Sequence, residues 1–515
     1  MKKIYLALTF VAGALLSSCD MDLAPIGSLD SENAIESPSD LMKARNGIYE
    51  ALRGMATGGY LFYSDIQMDQ FMGLTINGNQ NGIFAHGNIF SNNQDIEGIW
   101  AGCYSNIADA NYLLGHAEKV IEKIEDASER LECERYVAET KFARAYYYYY
   151  LFDKFCESYS AEKGDVAVKG LPIVTVFNPT GDIATYPGRS TMNETLALIN
   201  EDLKDAYTGL KAYEEGANYK IIPMSPYVNS NVVLALQARI ALLTQDWTTA
   251  IEKANAVINS NVYTLADTDN YIDMWTEDTS DEIIFRPIST NTELGISSTG
   301  GAYIGSSDEM AYYVPTYAFS YEGYPGQEDE NGDELEDVRF DAFFQLRTLV
   351  ANGTGYMGFV FNKFPGNASL NSGTTNSLLN MGKPFRLSEI YLILAEASYE
   401  TGDAETANKA LNMIRKNRIV DYQDVTYSGV VLREQIREER SRELIGEGFR
   451  MSDLRRWGLG FKRDSSYPIS NLADIFVVVD TQVEYIAGDH RYVWPIPNSE
   501  MENNPQLKGQ QNPGY

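Results

Sequence analysis

Apolar residues return every three or four positions along most of the chain, the period of a helix with one face against a core. Leu41, Ala44, Ile48 and Leu52 line one side of a predicted helix over Leu41–Arg53, capped by Ser39 or Asp40. Long helical patterns follow over Ile99–Ile124 and Glu129–Phe155. Arg189-Ser190-Thr191 leads into another that runs through Tyr207. Tyr146 to Tyr150 are consecutive, and five consecutive rings cover every face of a helix, which predicts a helix enclosed by neighbours. The period lapses in a loop of Gly, Asn and aromatic residues from Thr57 to about Gln94, and again in a Gly-, Tyr-, Ser-, Thr- and Asn-rich region from Ile283 to Pro384. That second region carries short alternating runs such as Phe359-Val360-Phe361 and so many aromatics that an ordered, functional insertion is expected.

Two predicted helical hairpins, Asn231–Ile258 and Phe385–Ile419, match at an offset of 157 residues. Ala238, Asp246, Thr249, Ala250 and Asn255 correspond to Ala395, Asp403, Thr406, Ala407 and Asn412. An Ala in the first helix and another 12 residues later let antiparallel helices approach closely, the tetratricopeptide-repeat arrangement. The expected fold is therefore mainly α: tetratricopeptide-repeat-like hairpins as a scaffold, with loop-rich insertions and a few short strands.

The N-terminus reads as a targeting segment. Lys2 and Lys3 precede an apolar run of 13 residues from Ile4 to Leu16, too short to span a bilayer, and Leu16-Ser17-Ser18 leads into Cys19. This looks like a bacterial lipobox with Cys19 lipidated. The expected organisation is a signal peptide over 1–18, lipidated Cys and flexible tether over 19–40, an N-terminal helical region over 41–230, and a C-terminal region over 231–515 with its insertion at about 283–384.

Charge narrows the function. There are 72 Asp and Glu against 41 Lys and Arg, a net charge of −31, which argues against a nucleic-acid partner. Three His, far apart, offer no zinc motif. Cys103, Cys133 and Cys156 lie in helical patterns, and whether any pair forms a disulfide stays open at this level. Gly353-Thr354-Gly355-Tyr356-Met357-Gly358 spells a dinucleotide fingerprint, but a strand pattern follows where a helix is needed, so a Gly-rich turn is expected. Asp329, Asn331 and Asp333 stand in an acidic stretch that fails the EF-hand template. A solvated loop is the reading, with an irregular structural Ca²⁺ site as its alternative and no other cofactor expected. Between Ile436 and Gly458, charges three and four apart, such as Arg440 with Glu443 and Glu447 with Arg450, predict exposed turns of a helix docked on the scaffold.

Together these features resemble the SusD/RagB family of outer-membrane nutrient-binding lipoproteins. The resemblance is carried by the lipobox, the Leu171-Pro172 segment before Pro187-Gly188-Arg189-Ser190-Thr191, the hairpin from Phe385 to Arg418, the Glu439–Gly458 block and the Pro513-Gly514-Tyr515 ending. It implies a non-enzymatic, lipid-anchored protein of the outer membrane, facing the exterior. Such a protein captures an oligosaccharide and delivers it to a SusC-like TonB-dependent transporter. A peptide or glycoprotein-fragment binder of the same family is the alternative. Outside it stand a surface glycoside hydrolase with an unrecognised carboxylate pair and an adhesive repeat lipoprotein.

Sugars lay their apolar faces on aromatic rings while amide and charged groups bond their hydroxyls. Two stretches fit that chemistry, and the resemblance also places ligand contacts in these regions. The early loop offers Tyr60, Tyr63, Asn77, Asn79, Asn81, Phe84 and His86, and the insertion offers Tyr303, Tyr312 and Tyr313. Tyr60, Tyr303 and Tyr313 are expected as exposed stacking platforms, with Asn79 and His86 as polar partners. Trp100, Trp247, Trp275 and Trp457 are expected in the core.

Overall fold

A computed structural model of the protein describes residues 34–74, 82–305, 307, 310–320, 324, 332, 335–351, 353–463 and 483–515. The expected lipidation site Cys19, together with Asn77, Asn79, Asn81, Asp329, Asn331 and Asp333, lies outside them.

The first helix, α1 (Pro38–Met55), begins earlier than its apolar period does. Ser37, not Ser39 or Asp40, is its cap and accepts from the Asp40 amide, and Pro38 fills a position whose N–H has no helical partner. The early loop is not all loop. Gly58, at φ 62°, turns the chain into α2 (Gly59–Ile66), and strand β1 (Phe71–Gly73) follows. Eight residues are too few to display a helical period, so packing rather than pattern fixes α2.

The long helices α3 (Gln94–Ile121) and α4 (Ala127–Phe155) are capped by Asn93 and Asp126. A full capping box between Thr191 and Glu194 opens α5 (Met192–Gly216). α4 packs on α1, α3 and α5, and all five consecutive tyrosines are buried, as their lack of a polar face requires.

The matched hairpins are α6 (Ser230–Leu243) with α7 (Trp247–Ile258), and α8 (Leu387–Glu400) with α9 (Ala404–Lys416). Their turns agree bond for bond. The Asp246 amide donates to Ala241 O and the Asp403 amide to Ser398 O, both at 2.8 Å. Asp246 and Asp403 then cap the second helices through Thr249 N and Thr406 N. The left-handed residue of each turn is Gln245 in one and Gly402 in the other. Ala238, Ala250, Ala395 and Ala407 are all fully buried at the helix crossings. Although far apart in sequence the hairpins are stacked, α7 against α8, and the Arg239 guanidinium clamps the Glu389 carboxylate at 2.6 and 2.7 Å across them.

Small antiparallel ladders stitch the insertion to this scaffold. Strand β2 (Ile283–Phe285) pairs with β6 (Phe385–Arg386), which leads into α8. Strand β3 (Tyr313–Pro315) pairs with β1, and β4 (Phe344–Ala351) forms a hairpin with β5 (Thr354–Phe361). Gly353, at φ 78°, turns that hairpin, and the rest of the glycine fingerprint, Thr354 to Gly358, lies in β5, with no helix following it.

The charged block departs from its local pattern. Helices α10 (Gly429–Glu443) and α11 (Arg450–Arg456) do form, and Arg437 with Glu434 and Arg442 with Glu438 make the expected local pairs on the outer face, but Glu439, Arg440 and Glu443 are buried and find partners far along the chain. Arg440 takes Asp453, and Arg450 takes Asp69 in a two-point pair. Glu443 receives Arg339, Arg386 and Arg418 at 3.2, 2.9 and 3.0 Å. Glu447 receives Lys363 and Arg386, Glu439 receives Arg339 and Arg415, and Glu282 receives Arg386 and Arg418. With Asp337 on Arg339 and Arg442 at 3.7 Å from Glu439, five carboxylates (Glu282, Asp337, Glu439, Glu443, Glu447) face six cations (Arg339, Lys363, Arg386, Arg415, Arg418, Arg442). Charges taken from water persist only when so compensated.

Trp100 and Trp275 are core, as expected, whereas Trp247 and Trp457 keep part of their surface in solvent. Cys103, Cys133 and Cys156 are buried free thiols.

Candidate functional site

The two loop regions singled out in the sequence converge. In the β1–β3 ladder Phe71 faces Pro315, Met72 faces Val314 and Gly73 faces Tyr313, and the Leu74 amide continues it to Tyr312 O at 2.8 Å. The early loop and the insertion therefore leave the ladder side by side, at Leu74 and Tyr312. Helix α2 packs against β1 and against the single turn Gly82–Ala85.

On this face Tyr63 is the best-built aromatic. Its ring lies parallel to Phe84, centroids 4.3 Å apart and planes 14° from parallel, and its hydroxyl donates to Asp95 Oδ1 at 2.9 Å. Phe84 is fully buried and meets the edge of Trp494, whose indole N–H donates to Gln67 Oε1. The stack thus stands on a fixed base, with Tyr63 half-buried at its outer end. Burial and the neighbouring Asp95 carboxylate both raise the Tyr63 pKa, so the hydroxyl stays protonated as a donor. His86 and Tyr312 are also half-buried here.

Two of the expected platforms are corrected. Tyr303 and Tyr313 have no exposed surface. Tyr303 is packed between Phe71 and Phe361, at 4.9 and 4.7 Å, and Tyr313 is an inner residue of the ladder. Both rings hold the insertion down and have no face left for a ligand. Tyr60 is half-buried with Tyr150 edge-on at 5.3 Å, and its hydroxyl leaves no room for a Cβ on Gly102 of α3. Phe84 supports Tyr63 from beneath.

One exposed ring was not anticipated. Phe90 is 60% exposed in the segment that leads into α3, and Ile83 is 47% exposed nearby in the chain. Ile89 beside it is buried, and nothing in Asn88-Ile89-Phe90 marks which of the two apolar side chains turns outward.

The face is tied to the charged block from below. Asp65 of α2 accepts from the Gly448 amide at 2.7 Å and Asp69 holds Arg450, so α2 is clamped onto the segment between α10 and α11. Burial raises the Asp65 carboxyl to about 7, against the pull of these amides and of Lys154. Among the described residues no group of three or more His, Cys, Asp or Glu is arranged to hold a metal ion.

Comparison with known proteins gives a consistent result. Residues 22–242 match the family described as starch-binding associating with outer membrane, and residues 347–515 match the SusD family. SusD-like protein P25 of Formosa agariphila is 23% identical over 95% of each chain. A SusD superfamily protein from Bacteroides thetaiotaomicron is 25% identical, with a TM-score of 0.74 over 93% of this chain and all of the other. A putative sugar binding protein from Bacteroides vulgatus is also 25% identical, with a TM-score of 0.72 over 94% of this chain and all of the other.

Proposed function

Since the chain belongs to the SusD/RagB family, we propose that it is a non-catalytic binding protein that captures an oligosaccharide on the face between α2 and the β1–β3 ladder. Association with the outer membrane follows from the family description. Anchoring through Cys19, exposure to the exterior and handover to a SusC-like TonB-dependent transporter belong to the same proposal.

The observation that carries the reading is the ladder itself. It joins two aromatic- and amide-rich loops at one place, where Tyr63 presents a ring on a rigid base. A rigid aromatic platform needs no ordering when a sugar stacks on it, which is what a capture protein requires. The sugar-binding description of the Bacteroides vulgatus relative supports the ligand class.

Calorimetric titration of the full chain with a neutral glycan panel tests it, using Tyr63→Ala and Tyr312→Ala beside the wild type. Saturable binding that these variants weaken, with the glycan recovered intact, is expected. Shorter products in the recovered material would replace the binding protein with a hydrolase.

A further inference from the structure

A separate open groove of about 590 Å³ lies where α3 passes the segment Pro172–Pro187 and the C-terminal Glu500 and Asn504. That volume falls within the ~300–1,000 Å³ of small-molecule sites. Trp100, Tyr104, Phe177 and Tyr186 contribute its rings.

The wall is built rather than loose. Tyr104 Oη donates to Pro172 O at 2.8 Å, and Asn111 and Tyr148 both donate to Val174 O. The Val174 amide returns a bond to Tyr148 Oη, and Tyr186 Oη donates to Thr180 O. Phe177 is held edge-on by Tyr112 at 5.0 Å. With its backbone pinned, the segment still leaves Val176 68% and Phe177 36% exposed. Apolar side chains held rigidly in water are available for a ligand.

Charge selects the ligand. The groove is lined by no Lys, Arg or His. Its one carboxylate, Glu500, has no ion-pair partner among the described residues. Burial raises its pKa, opposed by the nearby Trp100 indole and reinforced by the Glu97 charge. An anionic ligand would meet the Glu500 carboxylate and no cation. A neutral, hydroxyl-rich ligand would stack on the rings and donate to Glu500.

We propose that this groove is a second binding site, for a neutral oligosaccharide, with Phe177 and Tyr186 as stacking faces and Glu500 as hydroxyl acceptor. The ligand class rests on the sugar-binding reading above, but the site is separate from the β1–β3 face. The full-length chain is titrated with maltoheptaose, laminarihexaose and xylohexaose as wild type, as Phe177→Ala/Tyr186→Ala, as the groove-filling Ala108→Trp, and as Tyr63→Ala. The wild type should bind one of these sugars at two sites per chain. Both groove variants should lose one site, by about tenfold or more in affinity, the loss of one good stacking contact. Phe177→Ala alone removes an exposed ring and keeps the test open should the filled variant not fold. Tyr63→Ala should leave the groove site intact; groove binding without any face binding removes the earlier proposal and leaves this one standing. Groove variants that bind the same number of sugars as tightly as wild type overturn the assignment, as does a wild-type groove that takes no panel sugar or prefers acidic oligosaccharides.

Discussion

Glu443 and Arg418, both without exposed surface, meet at 3.0 Å through bonds that sequence proximity does not predict, since Arg386 and Arg339 share the same carboxylate. This is the hub that joins α10 to the insertion and to the second hairpin. Removing one partner of a buried pair leaves the other uncompensated, which costs ~3–5 kcal/mol. Glu443→Gln should lower unfolding stability by about that amount, read from urea or guanidinium midpoints. A loss below ~1 kcal/mol would mean that water reaches the cluster.

The same hub sets one side of a pH dependence and Asp65 sets the other. Burial opposes ionisation of Glu439, but Arg339 and Arg415 outweigh it and hold its carboxyl at about 2, below the ordinary 4.5. Its contribution is present above pH ~4.5 and is lost as pH falls toward 2. Asp65 is raised from 3.8 to about 7, so its contribution is full below pH ~4 and is lost as pH rises through 7. Asp65→Asn should flatten the decline between pH 4 and 7 and leave the acid limb unchanged. An unchanged decline in denaturation measured across that range would remove Asp65 as its source.

Tyr303 and Tyr63 should respond in opposite ways. Tyr303 is enclosed, and its truncation to Ala should cost ~3–5 kcal/mol of stability. Its hydroxyl has no hydrogen-bond partner among the described residues, so Tyr303→Phe should be neutral or raise the thermal midpoint. Tyr63→Ala should lower stability by only about 1 kcal/mol while weakening glycan binding. Paired melting and titration curves distinguish the two roles.

Gly402 and Gln245 occupy equivalent left-handed turn positions, at φ 86° and 60°. A Cβ at Gly402 meets nothing within 4 Å, so Gly402→Ala should cost only the backbone term, ~1 kcal/mol. Asp246→Ala and Asp403→Ala should each cost ~1 kcal/mol through loss of the cap. Equal losses at the two Asp positions, measured by equilibrium unfolding, would show that the hairpins are energetically as well as geometrically matched.

The three free thiols should be silent in the native state. Burial pushes Cys133 and Cys156 up to about 11 and Cys103 higher still. Iodoacetamide should therefore label none of them until denaturant is added. Rapid native labelling of Cys103, which is fully buried in α3, would mean that this helix opens.

Helix period, Asp and Thr caps and small residues at the crossings are local properties of the chain, so the helical scaffold can be read along it. The repeat of Ala238 and Asp246 in Ala395 and Asp403 was legible for that reason, and so was the glycine turn at Gly353. Whatever depends on partners far away in the chain emerges only when the fold brings them together. Arg440 and Glu443 stand one turn apart, a spacing that describes an exposed helical pair as well as two separate buried ones, and only Asp453 and Arg418 arriving from elsewhere settle which. Tyr63, Tyr303, Tyr313 and Phe90 are alike as rings in loops. Their division into platform, core and exposed side chain was made by the β1–β3 ladder and by Phe71, Phe84 and Phe361, since whether a ring faces water is fixed by the segments that cover it and not by its neighbours along the chain.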